Sequence, residues 1–502
     1  MASEGSEPMI FETFVDKGLS AHSYAVGCEA AGRVAIVDPR RDVGIYLELA
    51  SRRGVAISDV LETHVHADYA SGARELAERA GATLRLSAYD AGERYEVTFP
   101  HEELRDRDEV RIGKVRLEAR HTPGHTPEHL SFLVYDGARS ETVPQLMLAG
   151  DFLFVGSLGR PDLLGEEVKH ELARTLFRSV RERLAGLPDG LEVHPGHGAG
   201  SLCGAGMSAR PLSTLGYERA TNRYLDPALS EEGFVRAILG SAPPLPPYYL
   251  RMKRLNSDGP PALGELPGQQ AIPPDRFREL AEDGRHLVLD VRDRFAFAGA
   301  HVPGALGIGV DPNESLSTWA GWVVPPDRLL LLVAEDAAQA EDAVRSLVRV
   351  GLDDVAGRLE GGMRRWIARG LPVATLPQLP VHDLQAALAD GRAPRVLDVR
   401  TDGEWRQGHI PGALHVPGGE VASRLAELPA GPVAVVCGGG YRSTVIASLL
   451  QRAGREEVSN VTGGMGAWKR AGLPVETATS PNHAIQTEQP DETPGHTTRR
   501  TA

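Results

Sequence analysis

Histidine and aspartate recur in four short clusters in the first half of the chain, each with Gly or Pro nearby. The clusters are Thr63–Asp68 (which follows the strand-like run Ile57–Leu61), His121–His129, Gly150-Asp151 and His194–His197. Because imidazole and carboxylate groups at the ends of separate strands can converge on one ion, this pattern predicts a divalent transition-metal site. A single histidine is more often a surface or hydrogen-bonded residue, so the prediction depends on the four clusters together.

These clusters resemble the H-x-H-x-D-H motif and the later His, Asp and His ligands of the metallo-β-lactamase superfamily. Within that superfamily, roughly the first 250 residues look most like the persulfide dioxygenases, through Thr63–Asp68, His121–Thr126 and Gly150–Asp162. The resemblance implies an αββα domain that holds one mononuclear Fe(II). Its ligands would be His64, His125 and Asp151, a facial triad that leaves positions open for substrate and O₂.

The same resemblance suggests roles for residues beside the ligands. His66, Asp68 and His197 would orient ligands and waters, or form a vacant second metal site. Tyr69 stands where the dinuclear hydrolases of the superfamily have histidine. Since a neutral phenol is a poor ligand for a second zinc, Tyr69 favours a site for one metal.

Two further residues are candidates for substrate contact. The resemblance implies that Arg160, oriented by Asp162, fixes the anionic persulfide or its thiol carrier near the iron. Cys203 lies six residues after His197. It is either a small buried hydrophobic residue or a thiol that contacts or carries sulfur. Cys28 is interpreted as a core residue.

A second reactive pattern lies near the carboxyl terminus. The apolar run Pro432–Val436 reads as a buried strand, and it leads into Cys437, three glycines, Tyr441 and Arg442, with a helix predicted from about Ser443. Glycines let backbone N–H groups turn inward as an anion nest, and the helix dipole and Arg442 add positive charge. All three favour the thiolate, so Cys437 is predicted to be a nucleophile.

The second half of the chain contains an internal repeat. Leu289–Arg292 matches Leu397–Arg400, and Gly361–Trp366 matches Gly463–Trp468. These motifs and the Cys437 loop resemble the rhodanese family, in which the cysteine carries sulfane sulfur. The six-residue loop 437–442 fits sulfur, because the related phosphatases have one residue more. The resemblance makes Cys437 and Arg442 catalytic, with a substrate-binding set of Gly438, Gly439, Gly440, Tyr441 and Ser443.

The first repeat departs from this pattern. Its strand-like run Leu329–Val333 leads into Ala334-Glu-Asp-Ala-Ala-Gln, without cysteine, glycines or arginine. Acidic residues there would repel an anion. We interpret this repeat as a rhodanese-like domain without activity, a spacer or docking surface.

The length of the chain and a Gly/Pro-rich segment predict the domain organisation. A chain of 502 residues is expected to hold about two to four domains, and residues 258–268 form a Gly/Pro-rich linker. The fold class is predicted to be α/β multidomain. We expect a metallo-β-lactamase-like domain at 8–250, rhodanese-like domains at 265–376 and 379–476, and a disordered tail at 477–502.

Composition excludes several classes of function. A net charge of −14 and 5% aromatic residues argue against binding of nucleic acid or an anionic membrane surface. Three cysteines cannot form a disulfide framework. The acidic segment 1–7 lacks the apolar core of a signal peptide, so a cytoplasmic location is expected.

The two reactive patterns suggest one pathway. In the first hypothesis, a small thiol persulfide is oxidised with O₂ to sulfite, and Cys437 passes sulfane sulfur to sulfite or takes it from thiosulfate. One alternative is a zinc thioester hydrolase of the glyoxalase II type with an appended rhodanese. The other is a non-enzymatic sulfur-relay scaffold with a structural metal. The thiol carrier and the direction of transfer stay open, and the family resemblance suggests a homodimer or homotetramer.

Overall fold

The computed structural model describes residues 9–310 and 316–477. The segment 1–7, residue 8 of the predicted first domain, and positions 478–502 of the predicted disordered tail lie outside these residues. The chain separates into two compact units. One contains the residues up to Asp293 together with Ile308–Pro372, and the other contains Arg294–Gly307 and the residues from Val373 onward.

The amino-terminal part of the first unit consists mainly of strands. They are β1 (Met9–Asp16), β2 (Ala21–Cys28), β3 (Arg33–Val37), β4 (Ala56–Leu61), β5 (Thr83–Ser87), β6 (Glu102–Leu104), β7 (Glu109–Ile112), β8 (Val115–His121), β9 (Leu130–Asp136), β10 (Leu146–Gly150), β11 (Leu153–Phe154), β12 (Ser157–Leu158), β13 (Glu192–Pro195) and β14 (Ser213–Thr214). Among the described residues they form two six-stranded sheets, ordered β1-β2-β3-β4-β5-β6 and β14-β13-β10-β9-β8-β7, and the hairpin β11-β12.

Helices connect or follow these strands, and some of them cover the outer faces of the two sheets. They are α1 (Gly44–Arg53), α2 (Ala73–Ala80), α3 (Lys169–Arg183), α4 (Leu215–Thr221), α5 (Glu231–Ser241) and α6 (Tyr248–Asp258). Tyr46 and Leu76 pack α1 and α2 on the first sheet, and Leu176 and Phe234 pack α3 and α5 on the second. No helix in the described part of the chain is long and apolar enough to span a bilayer.

The two sheets face each other across an apolar core. Val26 and Val37 from the first sheet meet Leu117, Phe132 and Leu148 from the second. Side chains alternate along each strand, so one face of each sheet packs inward and the other receives helices. The predicted αββα layering is confirmed.

Helix α6 continues through the predicted domain end at residue 250. Lys253 Nζ donates to the carbonyl of Val65 at 2.8 Å. Asn256 Nδ2 donates to the carbonyls of His66 and Tyr69 at 2.8 and 2.7 Å. The helix therefore holds the loop in which the first histidine cluster lies.

The first repeat contributes to both units. In the first unit it forms β15 (Ala271–Ile272), α7 (Pro274–Ala281), β16 (His286–Asp290), α9 (Leu316–Val323), β18 (Leu329–Val333), α10 (Ala337–Val348), β19 (Val355–Leu359) and α11 (Gly362–Ala368), and in the second unit α8 (Arg294–Gly299) and β17 (Leu306–Gly307). The strands β15, β19, β18 and β16 pair in that order and run parallel.

The second repeat lies in the second unit. Its elements are β20 (Gln378–Leu379), α12 (Val381–Ala389), β21 (Arg395–Asp398), α13 (Asp402–Arg406), β22 (Leu414–His415), α14 (Gly418–Val421), β23 (Val433–Val436), α15 (Tyr441–Arg452), β24 (Val458–Val461) and α16 (Gly464–Arg470). The parallel sheet is ordered β20-β24-β23-β21-β22.

The shared motifs of the two repeats are structural. Asp290 and Asp398 are buried, and each accepts a two-pronged ion pair from the arginine two residues later, which is Arg292 in one repeat and Arg400 in the other. Arg400 also donates to the carbonyl of Gly408 at 3.0 Å. The pair fastens the end of the strand to the following loop, which explains the repetition of Asp-Val-Arg.

Within the first unit, the first repeat is joined to the amino-terminal domain by ion pairs. Arg349 contacts Asp42 through two hydrogen bonds of 2.9 and 2.8 Å and reaches Asp16 at 3.2 Å. In the opposite direction, buried Arg41 donates to Asp353 at 2.7 Å. The carbonyl of Arg349 also accepts the N–H of Ala70 at 2.7 Å.

We expect Arg349→Met to destabilise the chain by about 3–5 kcal/mol, since it removes the cation that the buried carboxylates of Asp16 and Asp42 share, and the remaining Arg40 pairs with Asp42 alone. Burial raises the pKa of Asp42, but Arg349, with a smaller contribution from Arg40, outweighs it and lowers the pKa overall. The stabilisation is therefore complete at neutral pH and is lost as the pH falls below the usual aspartate range of about 4. Urea unfolding measures the loss, with Arg345→Met as the control because its pair with Glu341 is exposed. Equal losses from both variants would contradict the interpretation.

Candidate active sites

Three ligand atoms from separate strand ends meet in the amino-terminal domain. His64 follows β4, Asp151 follows β10, and His125 lies in the loop between β8 and β9. His125 Nε2 and His64 Nε2 lie 3.4 and 4.0 Å from Asp151 Oδ2, and the three atoms are within 4.8 Å of one another. All three residues are buried, and none of the three atoms has a hydrogen-bond partner among the described residues.

Hydrogen bonds at the other ring nitrogens orient the two imidazoles. His125 Nδ1 donates to the carbonyl of Arg160 at 2.8 Å. Thr63 Oγ1 donates to Asp38 Oδ2 at 2.9 Å and therefore accepts from His64 Nδ1, also at 2.9 Å. In both rings the remaining Nε2 carries a lone pair. Burial and then neighbouring cationic and imidazole groups lower the pKa of both histidines well below the usual value, which keeps these lone pairs free at neutral pH.

Two other histidines hold Asp151. His197 Nδ1 lies 2.7 Å from Asp151 Oδ1 and Nε2 lies 2.8 Å from Asp68 Oδ2. Burial lowers the pKa of His197, but the two carboxylates outweigh it and raise the pKa to about 10. The ring is then a cation that donates from both nitrogens. His129 Nε2 accepts the backbone N–H of Asp151 at 2.9 Å.

His66 points away from the three ligand atoms. Its Nε2 lies 2.8 Å from Glu62 Oε2 and 3.3 Å from Asp38 Oδ1. These carboxylates overcome burial and raise the pKa of His66 well above its usual value. The Tyr69 hydroxyl donates to the carbonyl of Asp38 at 3.2 Å. His66 and Tyr69 therefore both contact Asp38 and help to fix its position. Asp38 in turn accepts the hydrogen bond of the Thr63 hydroxyl, which lies beside His64.

Arg160 contacts the centre through its backbone. Its guanidinium forms hydrogen bonds of 2.6 and 2.8 Å with Asp162 and one of 3.1 Å with the carbonyl of Leu202. The predicted orientation of Arg160 by Asp162 is therefore present in the structure. Direct contact between the guanidinium and substrate stays a prediction.

Cys203 lies beside the carboxylate pair of His197. Its Sγ, Asp68 and His197 offer ligand atoms within 4.8 Å of one another. Burial and then the charges of Asp68 and Asp151 raise the pKa of the Cys203 thiol well above its usual value. Its Sγ lies 3.9 Å from the Tyr249 hydroxyl. Cys28 is buried in the core between the sheets, as predicted.

Sequence reasoning assigned no role to the groups that orient the ligands. These are Asp38, Glu62, Thr63, His129, Lys253 and Asn256. His129 and Thr63 lie in the same sequence clusters as the ligands His125 and His64. Their position in these clusters could have indicated that they orient the ligands. Asp38 and α6 are distant in sequence from the clusters, and no local pattern indicated them.

The Cys437 loop joins β23 to α15. Cys437 is buried, and its Sγ accepts the N–H of Gly440 at 3.0 Å. Ser443 Oγ lies 3.3 Å from the sulfur and 2.6 Å from Asn460 Oδ1, so its one proton goes to the amide or to the sulfur. Gly438 and Gly439 form the loop between the cysteine and Gly440.

Two features of this loop differ from the prediction. Helix α15 begins at Tyr441, because Gly440 with φ of 108° turns the chain directly into it. Tyr441 and Arg442 therefore lie in the first helical turn. The Arg442 guanidinium pairs with Glu404 through hydrogen bonds of 2.7 and 2.6 Å. Burial raises the pKa of Glu404, but Arg442 lowers it to about 2, so the positive charge expected for the loop is balanced at neutral pH.

The motif Gly463–Trp468 packs against the backbone of the Cys437 loop. The N–H of Met465 donates to the carbonyl of Cys437 at 2.7 Å. A Cβ on Gly464 would lie 2.2 Å from that carbonyl oxygen, so only glycine fits. At the equivalent position of the first repeat, the strand leads to an aspartate instead of a glycine-rich loop. Asp336 caps α10 there by accepting the N–H of Gln339 at 2.8 Å. This agrees with the predicted absence of an anion nest there.

Comparisons with known proteins match three segments of the chain to two families. Residues 16–197 match the metallo-beta-lactamase superfamily, and residues 273–369 and 380–471 match the rhodanese-like domain. The mitochondrial persulfide dioxygenase ETHE1 of Mus musculus is 25% identical over 241 residues, which are 47% of this chain and 83% of that protein.

Two other relatives are more similar in sequence. A hydroxyacylglutathione hydrolase of Anaeromyxobacter dehalogenans is 31% identical over 246 residues, covering 44% of this chain and 88% of its own length. The crystal structure of a metallo-beta-lactamase from Staphylococcus aureus is 33% identical with a TM-score of 0.62, and the match covers 71% of this chain and 99% of that one. The chain therefore belongs to the metallo-β-lactamase superfamily and carries two rhodanese-like domains in tandem behind its metallo-β-lactamase domain.

Proposed function

We propose that this chain is a non-haem iron persulfide dioxygenase that oxidises a small thiol persulfide to sulfite, coupled to sulfur transfer at Cys437. The supporting observation is the donor set of the amino-terminal domain. Two imidazole Nε2 atoms and one carboxylate oxygen face one another, buried and without partners among the described residues. Similarity to persulfide dioxygenase ETHE1 supports the same reaction.

This donor set fits ferrous iron. Two histidines and one carboxylate are the protein ligands typical of non-haem Fe(II) oxygenases. His64, His125 and Asp151 would hold the ion. His197 has no lone pair to offer, because both its nitrogens contact carboxylates. Tyr69 donates its proton elsewhere. The residues around the centre therefore favour one metal.

Fe(II), when bound, would bind and activate both O₂ and the persulfide sulfur. The chain's own residues hold the ligands in place. Asp38 and Thr63 fix His64, the carbonyl of Arg160 fixes His125, and His197 fixes Asp151. The burial of the ligands excludes bulk water and protects a reactive sulfur species from solvent.

In the sulfur-transfer step, the Cys437 thiolate attacks the outer sulfur of thiosulfate. A new S–S bond forms, the old one breaks, and its electron pair leaves with sulfite. In the opposite direction, sulfite attacks the outer sulfur of the Cys437 persulfide and releases the thiolate and thiosulfate. The Gly440 N–H contacts the sulfur and stabilises negative charge on it in either direction.

A zinc thioester hydrolase is the second candidate. The observation that favours it is the 31% identity to a hydroxyacylglutathione hydrolase. Such hydrolases of this superfamily use a second metal, for which Tyr69 and the doubly bonded His197 are unsuitable in this chain.

Anaerobic titration of the metal-free protein tests the proposal. We expect one Fe(II) per chain, and turnover of glutathione persulfide only in the iron form. A requirement for two zinc ions, with cleavage of S-lactoylglutathione, would contradict the proposal and support the hydrolase.

We expect Thr63→Val to weaken iron binding by about 10–100-fold, the usual cost of removing the group that orients a ligand. The hydroxyl of Thr63 joins His64 to Asp38, and valine keeps the shape without this link. Iron affinity is measured by competition with a chelator. Thr126→Val is the matched control, because the buried Thr126 hydroxyl has no partner among the described residues. Equal affinities in the two variants would show that the Thr63 link does not orient His64.

A further inference from the structure

The anion chemistry proposed for Cys437 needs positive charge that Arg442 does not provide. Thiosulfate is a dianion at neutral pH, and sulfite is a mixture of the monoanion and the dianion. Arg442 is paired with Glu404 through both terminal nitrogens. The two charges balance, so this arginine fixes the first turn of α15 and adds no net positive charge to the backbone N–H groups of the loop.

Another arginine of the second unit approaches the same loop. Arg294 opens α8, a helix contributed by the first, cysteine-less repeat. Its Nε lies 3.7 Å from the position that a Cβ on Gly440 would occupy. Gly440 is the residue whose N–H contacts the Cys437 sulfur. Arg294 Nε is buried and has no hydrogen-bond acceptor among the described residues.

The segment that carries Arg294 is fixed to the catalytic repeat. The N–H of Gly307 donates to the buried Ser448 hydroxyl at 3.0 Å. Arg452 donates to the carbonyl of Gly304, also at 3.0 Å. Both partners lie on α15, the helix that follows the Cys437 loop. The position of Arg294 beside the loop is therefore supported at several points of residues 294–307.

The alignment of the two repeats adds an independent observation. Asp290 and Asp398 are equivalent, so Arg294 aligns with Asp402, four residues after its own aspartate. Asp402 in the second repeat lies in the first turn of α13, where a carboxylate favours the helix dipole. Arg294 at the start of α8 carries the opposite charge, so the helix dipole does not stabilise it. The presence of arginine at this position therefore has no explanation in the stability of α8.

We propose that Arg294 is an oxyanion-binding residue of the Cys437 site, which takes the sulfonate group of thiosulfate or the oxygens of sulfite. This inference depends on the sulfur transfer proposed above. A guanidinium offers several N–H donors in one plane, which suits two oxygens of a sulfonate. Arg294 holds the part of thiosulfate that leaves, while the Cys437 sulfur attacks the outer sulfur atom. The cysteine-less repeat thereby contributes a side chain to a reaction it cannot carry out itself.

Steady-state kinetics of thiosulfate:cyanide sulfur transfer by the full chain test the proposal. We expect Arg294→Met to raise the KM for thiosulfate about tenfold or more, because hydrogen bonds to a charged group are lost, with a smaller change in kcat. Arg294→Lys should recover part of this loss. Arg392→Met is the control, since it removes an exposed arginine paired with Asp390 in the same unit. An unchanged KM for Arg294→Met, with Cys437→Ser inactive, would overturn the role of Arg294 while leaving the sulfur transfer intact.

Alkylation of Cys437 provides a test that needs no turnover. Iodoacetate is an anion and iodoacetamide is neutral, and the two have the same reactive carbon. We expect Arg294→Met to slow the reaction of Cys437 with iodoacetate several-fold more than that with iodoacetamide, measured on the peptide by mass spectrometry. An identical ratio of the two rates in the variant and the natural chain would overturn the proposal. Activity retained by Cys437→Ser would instead refute the sulfur transfer itself.

Discussion

Replacement of His125 by alanine is expected to abolish persulfide oxidation. His125 Nε2 is one of the three buried ligand atoms, with His64 Nε2 and Asp151 Oδ2, that meet at this site in the described part of the amino-terminal domain. Loss of a group that merely orients a ligand costs about 10–100-fold, so loss of the ligand itself should lower activity by more than about 100-fold. Iron content and O₂ uptake, measured on the same preparation, report this loss.

The control for this variant is His121→Ala in the same cluster. His121 is half-buried, stacks on Tyr89 and contacts the carbonyl of Pro127, outside the ligand set. We expect it to keep its iron. If His125→Ala kept iron and oxygenase activity while folding normally, the proposed ligand set would be wrong. If both proteins bound metal but neither consumed O₂, the scaffold interpretation would be favoured.

Cys437→Ser is expected to eliminate sulfur transfer and to leave persulfide oxidation intact. Serine preserves the shape of the loop, but its hydroxyl does not form a persulfide. The variant should still produce sulfite from glutathione persulfide with the O₂ uptake of the natural chain. Thiosulfate formation and thiosulfate:cyanide transfer should fall to the background rate, a loss of at least about 100-fold, since the nucleophile itself is removed.

Cys28→Ala provides the matched control, because Cys28 is a buried thiol of the sheet core. It should retain both activities, with at most a modest loss of stability. Enzymatic thiosulfate formation by Cys437→Ser would show that another group carries the sulfur. The first group to test would then be Cys203, which lies beside Asp68 and His197.

The sequence was sufficient to predict the fold class and the convergence of the histidine clusters. The short apolar run before His64 is β4, and the one before Asp151 is β10. In a layered α/β domain the ends of such strands meet at one edge, so residues there are brought together from distant parts of the chain.

The partners of the predicted residues could not be inferred in this way. Glu404 lies 38 residues before Arg442 in the sequence. Its carboxylate nevertheless accepts the hydrogen bonds of the Arg442 guanidinium, which the sequence had placed in the anion-binding loop. Asp38 is 25 residues from Thr63, and α6 reaches back to the first cluster from nearly 190 residues away. These contacts depend on how the elements pack, and local residue types carry no signal for them.

The contribution of the first repeat was also hidden in the sequence. The missing cysteine indicated correctly that its own loop is no anion nest, since Asp336 caps the helix there. Its two other contributions, the ion pairs of Arg349 and the position of Arg294, depend on residues outside the repeated motifs. Comparison of the repeats alone would therefore classify this domain as a spacer.

The most direct test of the central claim is O₂ uptake by anaerobically iron-loaded protein supplied with glutathione persulfide, with sulfite and thiosulfate quantified together. The proposal predicts iron-dependent uptake of one O₂ for each sulfur atom oxidised, in both the natural chain and Cys437→Ser, with thiosulfate formed enzymatically only where Cys437 is present. Absence of uptake with any persulfide, together with thioester cleavage by the zinc-loaded protein, would contradict it and identify the chain as a hydrolase.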